Sequence, residues 1–180
     1  ESPVKAAGVE GVVDWERRFD HMQQHTGQHL LSAVLEELFG YHTVSVHFGA
    51  DIATLDLDAA SLTPPEIRRS EKRANDIVFE NRPVTVAFED AGTTTGLRKK
   101  TERAGSIRIV TIANLDRSAC GGTHLRATGE VGPILIRKAE RVKKQVRLEF
   151  LCGGRAIARA RSDLDILSGL AVANSAVIDD

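Results

Sequence analysis

The 180-residue sequence predicts an α+β domain in which two long helices pack with an antiparallel or mixed sheet. Two observations carry that prediction. Apolar residues recur at helical spacing in two stretches, His21–Gly40 and the segment from Leu62 to Arg82. About seven short runs rich in Val, Ile, Thr and Phe read as strands between them. Two helices among that many strands imply an α+β sandwich with an antiparallel or mixed sheet.

In chain order, residues 9–13 read as a short strand. The first helix is expected from near Asp20 to Gly40, a glycine suited to the left-handed turn that ends a helix. Its Leu30, Leu31, Val34, Leu35 and Leu38 share one face. "TVSVHFG" and "IATLDLD" read as two strands around a Gly49–Ala50–Asp51 turn. "LTPPEIRRSEKRANDIVFENR" reads as the second helix, with Thr63 as cap, prolines in the first turn and Glu66 completing a capping box. "PVTVAFED" is a strand, and "AGTTTGLRKKTERAG" a basic, glycine-containing loop. "IRIVTIANL", "ILIRKAERV" and "QVRLEFLC" read as strands, and "GRAIARARSDLDILSGLAVA" as a closing helix.

Composition narrows the class. A 42% hydrophobic and 27% charged content is that of a folded protein rather than a disordered one. No apolar run reaches the roughly 20 residues that span a bilayer, and no signal peptide is evident, so a cytoplasmic location is expected. Two cysteines are too few for a disulfide framework. The net charge of -1 conceals an uneven distribution. Residues 1–97 carry 8 Lys and Arg against 16 Asp and Glu, whereas residues 98–161 carry 16 against 5. A basic second half in a neutral chain suits a polyanionic partner, although a solvated basic surface has the same composition.

The candidate chemistry lies in two spaced motifs. "HMQQHTGQH" sets His21, His25 and His29 four residues apart on one helical line. Neighbours in that series can share an ion, but His21 and His29 stand about 12 Å apart along the axis, far beyond two zinc–nitrogen bonds of about 2 Å. Spacing alone leaves both pairs open. "SACGGTHL" adds Cys120 and His124, with two glycines that permit a tight turn. Two histidines with one Cys and one His form a donor set for tetrahedral zinc. The spacing does not decide between a closed structural staple and a reactive centre. A zinc protease of the HExxH kind is excluded, because Thr26 stands where its glutamate base belongs.

Taken together, "RFDHMQQHTGQHLLSAVLEELFG", "TVSVHFG…IATLDLD" and "SACGGTHLRATGEVGPILI" resemble the free-standing alanyl-tRNA editing proteins, the AlaX family. They are also similar to the editing domains of alanyl- and threonyl-tRNA synthetases. The resemblance runs from about Val12 to Ala158. It implies that fold, with Zn2+ held by His25, His29, Cys120 and His124, and His21 left to packing or support. It implies a hydrolase that deacylates alanine tRNA mischarged with serine or glycine, with no single catalytic side chain beyond a zinc-bound water. Thr26, Gln28, Ser45 and His47 are the polar candidates around it, Ser45 and His47 sharing a strand face with Thr43. Arg98, Lys99 and Lys100 in the basic loop are candidate contacts to tRNA phosphates, with Arg137, Lys138, Arg141, Lys143 and Lys144 as a further basic group. Cys152 reads as a buried small residue. Three regions are expected: residues 1–14 as a linker, 15–158 as the editing domain, and 159–180 as a helical tail leading toward a further domain. Two other functions fit the same motifs: a zinc-stapled RNA-binding module without catalysis, and a threonyl-type editing domain acting on seryl-tRNA.

Overall fold

In the computed structural model, which describes Gly8 and residues 10–175, three α-helices flank two antiparallel sheets. Helix α1 spans Trp15–Phe39 and begins five residues before the expected start. The cause is Asp14, whose side chain accepts a hydrogen bond from the Arg17 backbone N–H and so caps the helix. Gly40 ends it at φ 70°, as its position predicts. Strands β1 (Thr43–Phe48) and β2 (Ala53–Leu57) follow, and then α2 (Pro64–Phe79). Both halves of the Thr63–Glu66 capping box are formed.

The four-stranded sheet has the order β1–β2–β7–β6, with β6 at Ile134–Val142 and β7 at Gln145–Cys152. The three-stranded sheet has the order β3–β4–β5, at Val84–Asp90, Ser106–Ile112 and Asp116–Ala119. A short 3₁₀ turn spans Thr128–Val131, and α3 spans Gly154–Ala173. The expected domain boundary after residue 158 therefore falls inside one continuous helix.

Two strand assignments differ from the sequence reading. Residues 10–13 form no strand, and Val9 lies outside the described residues. Val12 and Val13 are exposed, and among the described residues no strand pairs with them. The run "IRIVTIANL" does not continue as one strand: Asn114 adopts φ 55°, the chain turns, and a further run, "DRSA", returns as β5. Asparagine tolerates the left-handed region better than most residues, so it was the available signal.

The apolar core lies between the helices and the sheets. Leu30, Leu31, Val34 and Leu35 of α1 pack with Leu55, Leu57, Leu148 and Phe150 of the larger sheet and with Ile112 and Val110 of the smaller one. One contact fixes the height of α1 over β7. The Gln24 side-chain amide donates to the Cys152 carbonyl at 3.0 Å and accepts from the Cys152 N–H at 2.9 Å. One helical turn on, a β-carbon at Gly27 would sit 2.2 Å from Cys152 Sγ. Cys152 is thus a packing residue, as its sequence context suggests, and burial pushes its thiol pKa well up. This close approach brings the middle of α1, with His25 and His29, up to the loop after β5.

Candidate metal centre and adjoining cleft

His25 and His29 project from α1 toward Cys120, the residue after β5, and His124 in the loop beyond it. One ligand atom from each of the four lies within 4.8 Å of the other three. Cys120 Sγ is 3.5 Å from His25 Nε2 and 3.4 Å from His124 Nε2. A tetrahedral zinc with bonds of about 2.3 Å to sulfur and 2.0–2.1 Å to nitrogen separates such atoms by about 3.6 Å. His21 is exposed one turn earlier and stands outside the cluster.

Each imidazole has its other nitrogen occupied. His29 Nδ1 donates to Asp116 Oδ2 at 2.8 Å, and His25 Nδ1 donates to the Thr123 carbonyl at 3.2 Å. His124 Nδ1 lies 3.2 Å from Thr26 Oγ1, which also accepts from the Leu125 N–H. Three rings tethered through Nδ1 leave three Nε2 atoms for the cluster, the pattern by which outer partners orient metal-binding histidines. The thiol is prepared as well. Burial pushes Cys120 up, but hydrogen bonds from His124, His25 and His29 outweigh it and hold the thiol at about 3. The residues present therefore fit a zinc ion.

The loop carrying Cys120 and His124 is shaped by its neighbours. A β-carbon at Gly122 would sit 2.2 Å from His25 Cε1, so only glycine lets the ring lie against the loop. Arg108 of β4 donates from Nη1 to the carbonyls of Cys120 and Gly122, both at 2.8 Å. Arg108 and Asp116 were not singled out in the sequence, because an arginine and an aspartate on strands carry no spacing signal.

Beside the cluster lies a cleft of about 290 Å³ lined by His29 and Cys120 together with Gln28, Thr43, Ser45 and Ser118, and by Arg98–Thr101. Of the expected polar candidates, the structure brings Gln28 and Ser45 here. Thr26 instead supports His124, and His47 is exposed and is not among the lining residues. The register runs unshifted from Ser45 to His47, so the two keep the shared alternation expected of them, and His47 lies farther along β1, opposite Thr54. Gln28 Nε2 donates to Ser32 Oγ at 2.8 Å, and Thr43 Oγ1 donates to the same oxygen at 2.7 Å, tying β1 to α1.

Ser45 Oγ donates to Asp56 Oδ2 at 2.7 Å, and Asp56 is paired through both oxygens with Arg147. The Arg147 hydrogen bonds hold the Asp56 carboxyl at about 2, against the upward push of burial and with help from Ser45. A depressed carboxyl stabilises the fold above its unfolded value of 3.8 and loses that contribution as pH falls toward 2. Asp56→Asn should therefore flatten the acid limb of stability between about pH 4 and 2, read by urea unfolding across that range. An unchanged limb would show that the pair contributes no pH-dependent stability.

The basic loop divides. Lys99 and Lys100 are exposed at the cleft, whereas the Arg98 guanidinium turns inward to Asp116. Arg137, Lys138, Arg141, Lys143 and Lys144 lie along the β6–β7 hairpin.

A family model described as the threonyl and alanyl tRNA synthetase second additional domain matches residues 107–148, the segment that supplies Cys120 and His124. Across 89% of this chain, the alanyl-tRNA editing protein Aarsd1 of Danio rerio is 36% identical, and the match covers 40% of that protein. The alanyl-tRNA editing protein AlaX-L of Pyrococcus horikoshii is 37% identical over 88% of this chain and 40% of its own length. Over most of its length this chain is similar to alanyl-tRNA editing proteins. Alanine–tRNA ligase of Pyrococcus abyssi is 38% identical over 88% of this chain, with 18% of the ligase covered. The chain thus spans well under half the length of these relatives. Among the described residues no helix is long and apolar enough to cross a membrane.

Proposed function

We infer that this chain hydrolyses the aminoacyl ester of alanine tRNA wrongly charged with serine or glycine, in the cytoplasm, at a zinc centre held by His25, His29, Cys120 and His124. The observation that carries this reading is the convergence of three Nδ1-tethered imidazoles and the Cys120 sulfur at the end of a polar cleft. The names of the alanyl-tRNA editing relatives supply the substrate class.

When bound, zinc supplies Lewis acidity toward the ester carbonyl and a lowered pKa for water. The chain's residues do the rest. Lys99 and Lys100, exposed at the cleft, offer charge to the phosphates near the acceptor end. The Gln28–Ser32–Thr43 hydrogen bonds keep the floor of the cleft rigid. Ser45, its hydroxyl donating a hydrogen bond to Asp56, keeps lone pairs that accept a hydrogen bond from a substrate hydroxyl. Water adds its oxygen to the acyl carbon, the bond from that carbon to the ribose oxygen breaks, and the ribose oxygen takes the proton.

Selectivity follows from the polar lining. A site that bonds the serine hydroxyl discriminates more strongly than one that merely accommodates it. Ser45→Ala should retain the metal and largely keep glycyl-tRNA cleavage. A hydrogen bond to a neutral hydroxyl contributes about 0.5–1.5 kcal/mol, so the Ser/Gly rate ratio should fall roughly 2- to 15-fold. Equal loss on both substrates would show that Ser45 shapes the cleft without reading the hydroxyl. The function itself is tested by incubating the chain with seryl-tRNA of alanine and of threonine identity. Release of serine from the alanine species supports the reading. Preference for the threonine species would favour a threonyl-type activity, and binding without release would leave a zinc-stapled RNA-binding module.

A further inference from the structure

The Asp116 side chain is fully buried, and its two oxygens serve different parts of the molecule. Oδ2 accepts from His29 Nδ1 at 2.8 Å. Oδ1 accepts from Arg98 Nε at 2.7 Å, and Arg98 Nη2 also donates to Ser118 Oγ at 3.3 Å. Ser118 Oγ in turn lies 2.9 and 3.0 Å from the two carboxylate oxygens.

Arg98 is also the last attachment of the basic loop. Its N–H donates to the Arg117 carbonyl at 2.8 Å. Beyond it, the next tie to another segment among the described hydrogen bonds is Gly105, whose carbonyl accepts from Ala91. Residues 99–104 bridge the gap, and Lys99, Lys100 and Thr101 form one wall of the cleft beside His29 and Cys120.

We propose that Asp116 is a positioning residue that couples the metal-binding His29 to the cleft wall: one oxygen fixes the imidazole, the other latches the Lys99–Thr101 wall through Arg98. This rests on the metal reading of the cluster. Binding coupled through one carboxylate is reciprocal, so an ion that fixes His29 also favours the latched loop, and a latched loop favours the ion. Arg98 thereby acts by holding the two exposed lysines at the cleft and not as a phosphate ligand itself.

The test measures zinc affinity by chelator competition, together with cleavage after Lys99 and Lys100 by a lysine-specific protease, located by mass. Cleavage after Lys143 and Lys144 serves as the internal control. In the wild-type chain zinc should slow the loop cuts by about fivefold or more, and leave the control cuts unchanged. Asp116→Asn should weaken zinc by roughly 10- to 100-fold, the usual effect of losing an outer partner of a metal-binding histidine. Arg98→Gln should speed the loop cuts by roughly tenfold and abolish their dependence on zinc, because cleavage tracks the opened population. Arg98→Lys, which keeps the charge, should restore part of the protection.

Zinc protection unchanged in Arg98→Gln would overturn the coupling, as would Asp116→Asn binding zinc within about threefold of wild type. If Asp116→Asn does not fold, the two Arg98 variants decide alone. A folded wild-type chain that takes up no zinc overturns the metal reading of the cluster, a result distinct from either.

Discussion

Cys120→Ala should leave the chain without zinc after dialysis against a mild chelator, whereas the unaltered chain should retain about one ion per molecule. Cys120 Sγ is the atom around which the cluster closes, within 3.5 Å of Nε2 of both His25 and His124. It is also the donor whose ionised form the site favours most strongly. His29→Ala should have the same effect and additionally leave the Asp116 carboxylate buried without its imidazole. His21→Ala is the control. It is exposed outside the cluster and should leave metal content unchanged. Zinc lost on replacing His21 but kept on replacing His29 would mean that the earlier histidine pair holds the ion.

His124→Gln should abolish deacylation while the fold persists. Glutamine is too weak a ligand to hold zinc in place of imidazole, yet it is long enough to keep contact with Thr26 on α1. The surrounding core, with Leu125 buried beside it, does not depend on the ring. Circular dichroism and tRNA binding should therefore survive. The deacylation rate should fall by more than roughly 100-fold, beyond the loss typical for an outer partner, and excess zinc should restore part of it. Full activity in this folded, metal-depleted variant would make the ion structural.

Much of this was legible in the sequence, for identifiable reasons. Gly40, Thr63 and Glu66 are caps whose chemistry is local, so the ends they mark need no tertiary information. The core face of α1 follows from the period of Leu30, Leu31, Val34 and Leu35. Spacing could not choose between His21 and His29, since both lie four residues from His25. The family resemblance points to His29, and the structure places it beside Cys120 and His124. β5 was missed because "DRSA" is short and polar; its role as a strand comes from pairing with β4. Asp116, and its pairing with Arg98, were opaque for a similar reason. A strand carboxylate is read as surface, and Arg98 in a basic loop as a phosphate contact, until tertiary structure brings the two side chains together.

The decisive measurement is single-turnover deacylation of alanine tRNA charged with serine, glycine or alanine, with the chain zinc-loaded, stripped by chelator and reloaded. The expected result is rapid release of serine and glycine by the loaded chain, slow release of alanine, loss of all three on stripping and recovery on reloading. Serine release that continues undiminished in a folded, zinc-free chain, or ester bonds that stay intact on tRNA the loaded chain binds, would contradict a zinc-dependent editing hydrolase.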